Sequence, residues 1–202
     1  MKIIIANAMH LHYAASICAT IAESAKVRGT GIATRTPEHI QEKIKQGNAV
    51  IALDNQTFVG FCYIDTWEDE KYVANSALIV HPDYRGRGVA RAIKKKIFQL
   101  AKVKYPNAKA FSITTGLAVM KMNSELGCKP VTFSELTTDP AFWKGCETCQ
   151  NFDVLKRTNR EMCLCTGMLY DPTQKKSKSR KMKTFERLKR IKEATFLKPK
   201  LK

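Results

Sequence analysis

Apolar residues along this chain switch between two spacings, and the switches lay out a fold. Residues 2–6 form a short apolar run that predicts a first strand. Ala15, Ile17, Cys18, Ile21, Ala22 and Ala25 then recur at helical spacing, predicting a helix over 12–26, with His10 and His12 near its start as candidates for lining a pocket. Thr36 is a suitable N-cap with Pro37 in the first helical position, and Ile40 and Ile44 supply the stripe of a second helix ending at Gly47. Runs over 48–53 and 58–66 flank the polar turn Asp54-Asn55-Gln56-Thr57 and predict a hairpin. A strand over 71–80 follows the charged corner Glu68-Asp69-Glu70. Val89, Ile93, Ile97, Leu100 and Ala101 share one face of a basic helix; a strand over 110–114, a helix over 116–126 closed by Gly127, a strand from 130 and a last strand over 162–170 complete the order β-α-α-β-β-β-α-β-α-β-β.

Two segments stand outside that alternation. Residues 136–161 are too long for a simple hairpin loop, and long loops in compact domains tend to be functional or to carry their own stabilisation. From 171 onward the chain turns Lys- and Ser-rich, and Phe185, Leu188 and Ile191 then recur at helical spacing. A linker and a basic amphipathic helix are expected there, following a domain over 1–170.

The strand-to-helix junction carries the most specific chemistry. Pro82 ends the strand ladder because it has no N–H to give, and Gly86 and Gly88 permit backbone conformations that side chains forbid. A helix then begins at once, so its free N–H groups and positive dipole end form a cradle for an anion such as a pyrophosphate. A Walker-type loop is disfavoured because no G-K-[ST] ending follows, and a Rossmann site because the spacing is not G-x-G-x-x-G.

Arg85-Gly86-Arg87-Gly88-Val89-Ala90 resembles the R/Q-x-x-G-x-G/A signature of the GCN5-related N-acetyltransferases (GNAT), and Val80-His81-Pro82 matches the V-x-P that usually precedes it. The resemblance implies the α/β (α+β) acyl-CoA N-acyltransferase fold, a mixed and mostly antiparallel sheet of about seven strands flanked by helices. It implies acetyl-CoA or another acyl-CoA, such as succinyl-CoA, as donor. Backbone N–H groups of Leu78, Ile79 and Val80 would polarise the thioester carbonyl, and those of Arg85, Gly86, Arg87, Gly88, Val89 and Ala90 would bind the pyrophosphate. Many members place a tyrosine four residues before the glycine that closes the later helix, to protonate the leaving thiolate. Here that position is Asn123, with Ser124 and Cys128 as nearby alternatives. Glu68 and Glu70 are candidate bases beside water-mediated deprotonation.

A narrower resemblance concerns the acceptor. Residues 22–29 and 32–40 are similar to the helix-loop-helix of N-acetylglutamate synthases, whose loop arginine pairs with a substrate carboxylate. Arg35 matches that arginine, and Thr114-Thr115-Gly116 is similar to that group's threonine pair, so Arg35, Thr114 and Thr115 are candidate substrate residues. A small-molecule amine, an amino acid such as glutamate or a related metabolite, is the expected acceptor. The rivals are a protein or ribosomal N-acetyltransferase and a non-catalytic acyl-CoA-sensing module that binds nucleic acid.

Charge and cysteine content adjust this picture. Of the chain's net +17, a surplus of eleven sits in residues 174–202, so the tail rather than the domain is extreme. Nucleic acid or an acidic protein is a candidate partner for the tail, and a second copy of the chain is a further candidate for the domain. No apolar run approaches a membrane span and residues 2–5 are too short for a signal-peptide core, so no membrane partner and a cytoplasmic location are expected. The odd count of seven cysteines argues against a disulfide framework. Cys146-x-x-Cys149 and Cys163-x-Cys165 fit either a tetrahedral zinc site or reduced thiols packed as small apolar groups.

Overall fold

The computed structural model describes residues 1–28 and 33–174; the basic amphipathic helix expected near Phe185, and the loop at 29–32, lie outside these. Met1–Pro172 form one compact unit. In chain order it holds β1 (Lys2–Ile5), α1 (Ala14–Arg28), α2 (Pro37–Lys45), β2 (Ala49–Asp54), β3 (Thr57–Trp67) and β4 (Tyr72–Val80). There follow α3 (Val89–Lys104), β5 (Lys109–Thr114), α4 (Leu117–Glu125), β6 (Lys129–Val131), α5 (Pro140–Lys144), α6 (Phe152–Arg157) and β7 (Thr166–Tyr170).

One seven-stranded sheet runs β1-β2-β3-β4-β5-β7-β6, antiparallel throughout except for the parallel pair β4–β5. β2 and β3 are buried on both faces, as their near-continuous apolar runs require. On one face Ile17 and Ile21 of α1 and Ile40 and Ile44 of α2 pack on Ile51, Phe61 and Ile79. On the other, Val89, Ile93, Ile97 and Ala101 of α3 pack on Val50, Val59, Ile64 and Val73. The cap expected for α2 is present: Thr36 accepts from the His39 N–H at 3.3 Å, with Pro37 opening the helix.

Two features of the sheet prepare a site. β4 and β5 pair only over Tyr72↔Lys109, Val73↔Ala110 and Ala74↔Phe111, so from Asn75 onward the β5-facing edge of β4 has no partner strand and the sheet opens into a wedge. Across the other edge, Phe61 pairs with Ile79 and Tyr63 with Ser76, which leaves Ala77 and Leu78 opposite the single residue Cys62. This β-bulge holds Ala77 at φ +52°, a left-handed conformation unusual for a residue with a Cβ. Just beyond the bulge Gly60 pairs with Val80, where an added Cβ would lie 2.8 Å from the Ile79 carbonyl oxygen.

Some boundaries differ from the sequence expectation. The first helix is preceded by a 3-10 turn over Ala8–Tyr13, where His10 Nδ1 accepts from the Asn7 N–H and closes a capping box while the His12 ring lies 4.0 Å from that of Tyr13. The last strand starts at Thr166, not 162, so Cys163 and Cys165 precede it. Residues 136–161 are not a bare loop. They contain α5 and α6, and Trp143 and Leu155 join Phe111, Phe133 and Leu169 in a third cluster, with Trp143 Nε1 donating to the Thr137 carbonyl at 2.8 Å.

Candidate active site

The wedge between β4 and β5 opens into a cavity of about 780 Å³. Leu78 and Ile79 of the bulged strand line it, while Val80 is buried beside it. Asn75 and Trp67 also line it, and their Oδ1 and Nε1 atoms are buried with no hydrogen-bond partner among the described residues. Orphaned polar atoms at a cavity wall are costly unless a ligand or water meets them, so this wall suits an amide-rich guest.

Beyond the strand, Gly86 and Gly88 take φ +77° and +78°. A Cβ would meet nothing within 4 Å at either, so glycine is required there by the left-handed backbone rather than by crowding. Gly88 is the N-cap of α3, and the first helical bond of that junction runs from the Ala92 N–H to the Gly88 carbonyl at 3.1 Å. The N–H groups from Gly86 to Arg91 accordingly have no backbone acceptor among the described residues, as expected of a helix start. Arg85 braces this turn, its guanidinium donating to the Val80 carbonyl at 3.2 Å and to Ser24 Oγ of α1 at 2.9 Å. Arg87 lies over the Tyr84 ring, and Val89 is buried under the helix start.

At the other end of the cavity stands Arg35, just ahead of α2. Its Nε donates to the Tyr63 hydroxyl at 2.7 Å and its Nη1 to the Thr34 carbonyl at 2.7 Å. The Tyr63 hydroxyl also meets His39 Nε2 at 3.2 Å. Burial, then the nearby charges of Lys43 and Arg35, hold His39 below the usual imidazole range, and burial pushes the Tyr63 phenol up. Behind them Lys43 Nζ meets the Asp65 carboxylate at 3.2 Å, a buried cation with its counter-ion. Thr114 and Thr115 line the cavity from the end of β5, the Thr114 hydroxyl accepting from the Gly116 N–H at 3.1 Å. The structure thus brings Arg35, Thr114 and Thr115 onto one cavity with Leu78 and Ile79.

The candidates for acid and base lie elsewhere. Asn123 is buried in α4, its Nδ2 donating to Ser112 Oγ at 2.9 Å, and Ser124 is exposed; neither lines the cavity. Glu70 sits in the exposed corner between β3 and β4 at φ +64°. Glu68 accepts from Thr137 Oγ1 and the Thr138 N–H, both at 2.7 Å, and these bonds lower its pKa; it pins that corner to residues 136–161. Buried Cys128 has its thiol pushed up to about 11. Tyr63 and His39 were missed by sequence reasoning. Tyr63 sits inside an apolar strand run, although His39, three residues after the Thr36 cap and four after Arg35, was a detectable signal.

Cys146, Cys149, Cys163 and Cys165 all line the cavity. Among the described residues no group of three or more His, Cys, Asp or Glu is arranged to hold a metal, so the zinc reading is not supported. Burial and mutual repulsion push Cys146 to about 11 and Cys165 to about 12, and Cys149 Sγ accepts from the Asn151 N–H at 3.4 Å while Cys163 Sγ approaches the Asn151 carbonyl at 3.9 Å. Burial thus disfavours the thiolate form of Cys146 and Cys165, and two of the four sulfurs engage the Asn151 backbone.

A sheet split beside a glycine-rich anion cradle is the architecture of the acyl-CoA N-acyltransferases. The family model described as "Acetyltransferase (GNAT) family" matches residues 20–120, and the chain belongs to that family. Solved structures share the fold at low identity. The Mycobacterium tuberculosis protein Rv2747, in complex with CoA and NLQ, is 13% identical with a TM-score of 0.59, over 85% of this chain and 99% of its own. N-acetylglutamate synthase from Neisseria gonorrhoeae, complexed with CoA and N-acetyl-glutamate, is 14% identical with a TM-score of 0.60, over 86% of this chain but 35% of its own length. The ribosomal-protein-S18-alanine N-acetyltransferase of Escherichia coli is 12% identical with a TM-score of 0.53, over 88% of this chain and 97% of its own. No curated protein matches. Among the described residues no helix is long and apolar enough to cross a membrane.

Proposed function

We propose that this protein transfers an acyl group from acyl-CoA to the primary amine of a small carboxylate-bearing molecule, most simply an amino acid such as glutamate. The donor supplies an activated thioester. The chain's own part begins at the cradle, where free N–H groups from Gly86 to Arg91 and the positive end of α3 hold a pyrophosphate. The unpaired edge of β4 then receives the rest of the donor. Main-chain N–H groups around the bulge at Ala77 and Leu78 are aimed at the carbonyl oxygen as it gains negative charge. Trp67, Phe133 and Phe142 give the cavity an aromatic wall.

The observation that carries the choice of acceptor is Arg35. Its Nε and Nη1 are fixed by Tyr63 and Thr34, and its Nη2 has no bond among the described residues, on the same cavity as the open strand edge. A guanidinium oriented in this way presents a carboxylate site at little further entropic cost. His39, held neutral, stands beside it and can accept a proton from an ammonium substrate. In support, the Neisseria structure of the same fold carries N-acetyl-glutamate with CoA.

A thiol-release assay over amino acids, other amines and peptides tests this. Acidic amino acids are expected to give the highest kcat/KM. Arg35→Ala is expected to raise KM for them about 10- to 100-fold, the loss of a charge-assisted bond of about 1.5–3 kcal/mol. An unchanged KM, or turnover confined to peptide N-termini, overturns the carboxylate assignment.

A further inference from the structure

α3 turns one lysine inward. Lys94 is 3% exposed, flanked along the helix by the core residues Ile93 and Ile97, whereas Lys95, Lys102 and Lys104 of the same helix are exposed. It is also the α3 residue that lines the cavity, alongside Ser112 and Thr114 of β5, Val119 of α4 and Leu78 of β4. Its Nζ makes no hydrogen bond or ion pair among the described residues. The titratable groups facing it are two thiols, Cys62 from β3 and Cys128 after α4. Burial pushes both to about 11, so they are neutral and offer no counter-charge.

The contrast with Lys43 is informative. That lysine is similarly buried and has Asp65 at 3.2 Å. Burying an ammonium with no anion costs several kcal/mol, and an apolar side chain at the same place would remove that cost. A fold that keeps Lys94 therefore holds an amine with no anionic partner among the described residues at the wall of this cavity. If the donor occupies the wedge as described above, the anion generated there at each turnover is the departing sulfur. Asn123, where the family resemblance expects a proton donor, is turned to Ser112 and lies off the cavity.

We propose that Lys94 is the proton donor to the leaving sulfur of acyl-CoA. This rests on the acyl-transfer function proposed above. As the carbon–sulfur bond breaks and its electron pair moves onto sulfur, one N–H bond of the Lys94 ammonium breaks. The proton passes to sulfur and the N–H electron pair stays on Lys94 as a neutral amine. The attacking nitrogen releases its own proton to solvent through the cavity and Lys94 recovers one from solvent, so each cycle exchanges one N–H for one S–H. Burial lowers the Lys94 pKa from its ordinary value, which makes its ammonium a stronger acid towards a departing thiolate.

The test compares the full-length wild type with Lys94→Met and Lys94→Arg. Calorimetry with CoA comes first: if wild type does not bind CoA, the acyl-transfer function itself fails, and this proposal with it. Given binding, the ionisation of bound CoA thiol is followed by thiolate absorbance across pH. In wild type it is expected to be displaced downward by about one unit, a roughly tenfold change, and the displacement is expected to vanish in Lys94→Met. Melting temperature should hold or rise in Lys94→Met, since a buried unpaired charge has been removed. Lys94→Arg keeps the charge but does not deprotonate, so it should retain the displacement yet lose kcat by about 100-fold. Full kcat in Lys94→Arg, an identical thiol ionisation in wild type and Lys94→Met, or an acyl group found on Lys94 by mass spectrometry would each overturn the proposal. So would a loss in Lys94→Met confined to succinyl-CoA affinity, which would make Lys94 a counter-ion for the acyl chain.

Discussion

Replacing Gly60 with alanine tests the link between the bulge in β4 and the donor site. The added Cβ would lie 2.8 Å from the Ile79 carbonyl oxygen and 2.8 Å from Ile93 Cδ1. The isoleucine methyl can swing to another rotamer for about 0.5–1.5 kcal/mol. The carbonyl is strand backbone and must move by about 0.6 Å to reach the 3.4 Å of ordinary contact. Overpacking of this kind costs about 1–3 kcal/mol. For a chain of this size about 2 kcal/mol lowers Tm by about 4–8 °C. The displacement falls at Ile79, directly after the bulge, so the β4 edge that receives the donor moves with it. CoA affinity measured by calorimetry is therefore expected to weaken along with Tm. Adding Ile93→Val should recover only the side-chain part of the loss. A melting temperature within about 1 °C of wild type together with unchanged CoA affinity would refute the steric argument.

At Gly88, by contrast, a Cβ finds open space, so Gly88→Ala should cost about 1–2 kcal/mol through its left-handed φ alone, whereas Gly88→Glu, which adds a negative charge at the cradle, should abolish CoA binding by calorimetry. His39 supplies a pH dependence. Its folded pKa is depressed, so its contribution to stability is fully present above the unfolded value of about 6.5 and is lost as pH falls through the folded one. Melting curves of His39→Gln should decline less than wild type below pH 6.5 or so, and parallel curves would count against that role.

The sequence revealed the fold well because this sheet is dictated by local patterns. The caps at Thr36 and Gly88, the hairpin turn at 54–57 and the one-sided apolar face of α3 each fix an element without help from distant residues. The family resemblance singled out Arg35, Thr114 and Thr115, and all three line one cavity. What could not be read depends on packing across the chain. Tyr63 is anchored by Arg35 across 28 positions, α5 and α6 fold around Trp143 and Phe111, and the inward turn of Lys94 is invisible in a helix where lysines are common. The four cysteines illustrate the opposite hazard: their spacing suits a metal, yet among the described residues no group of three or more ligands is arranged to hold one.

The parallel pairing of β4 with β5 has a mechanical consequence. Only three residue pairs join β4 to β5 in the backbone ladder, so the hydrogen-bonded seam between the wing β1–β4 and the wing β5, β7 and β6 is narrow. Amides at 72–74 and 109–111 should exchange with solvent through opening of that seam rather than through global unfolding. A ligand wedged between the wings would bridge them, slowing exchange on both sides of the split at once and turning a weak join into a closed clasp.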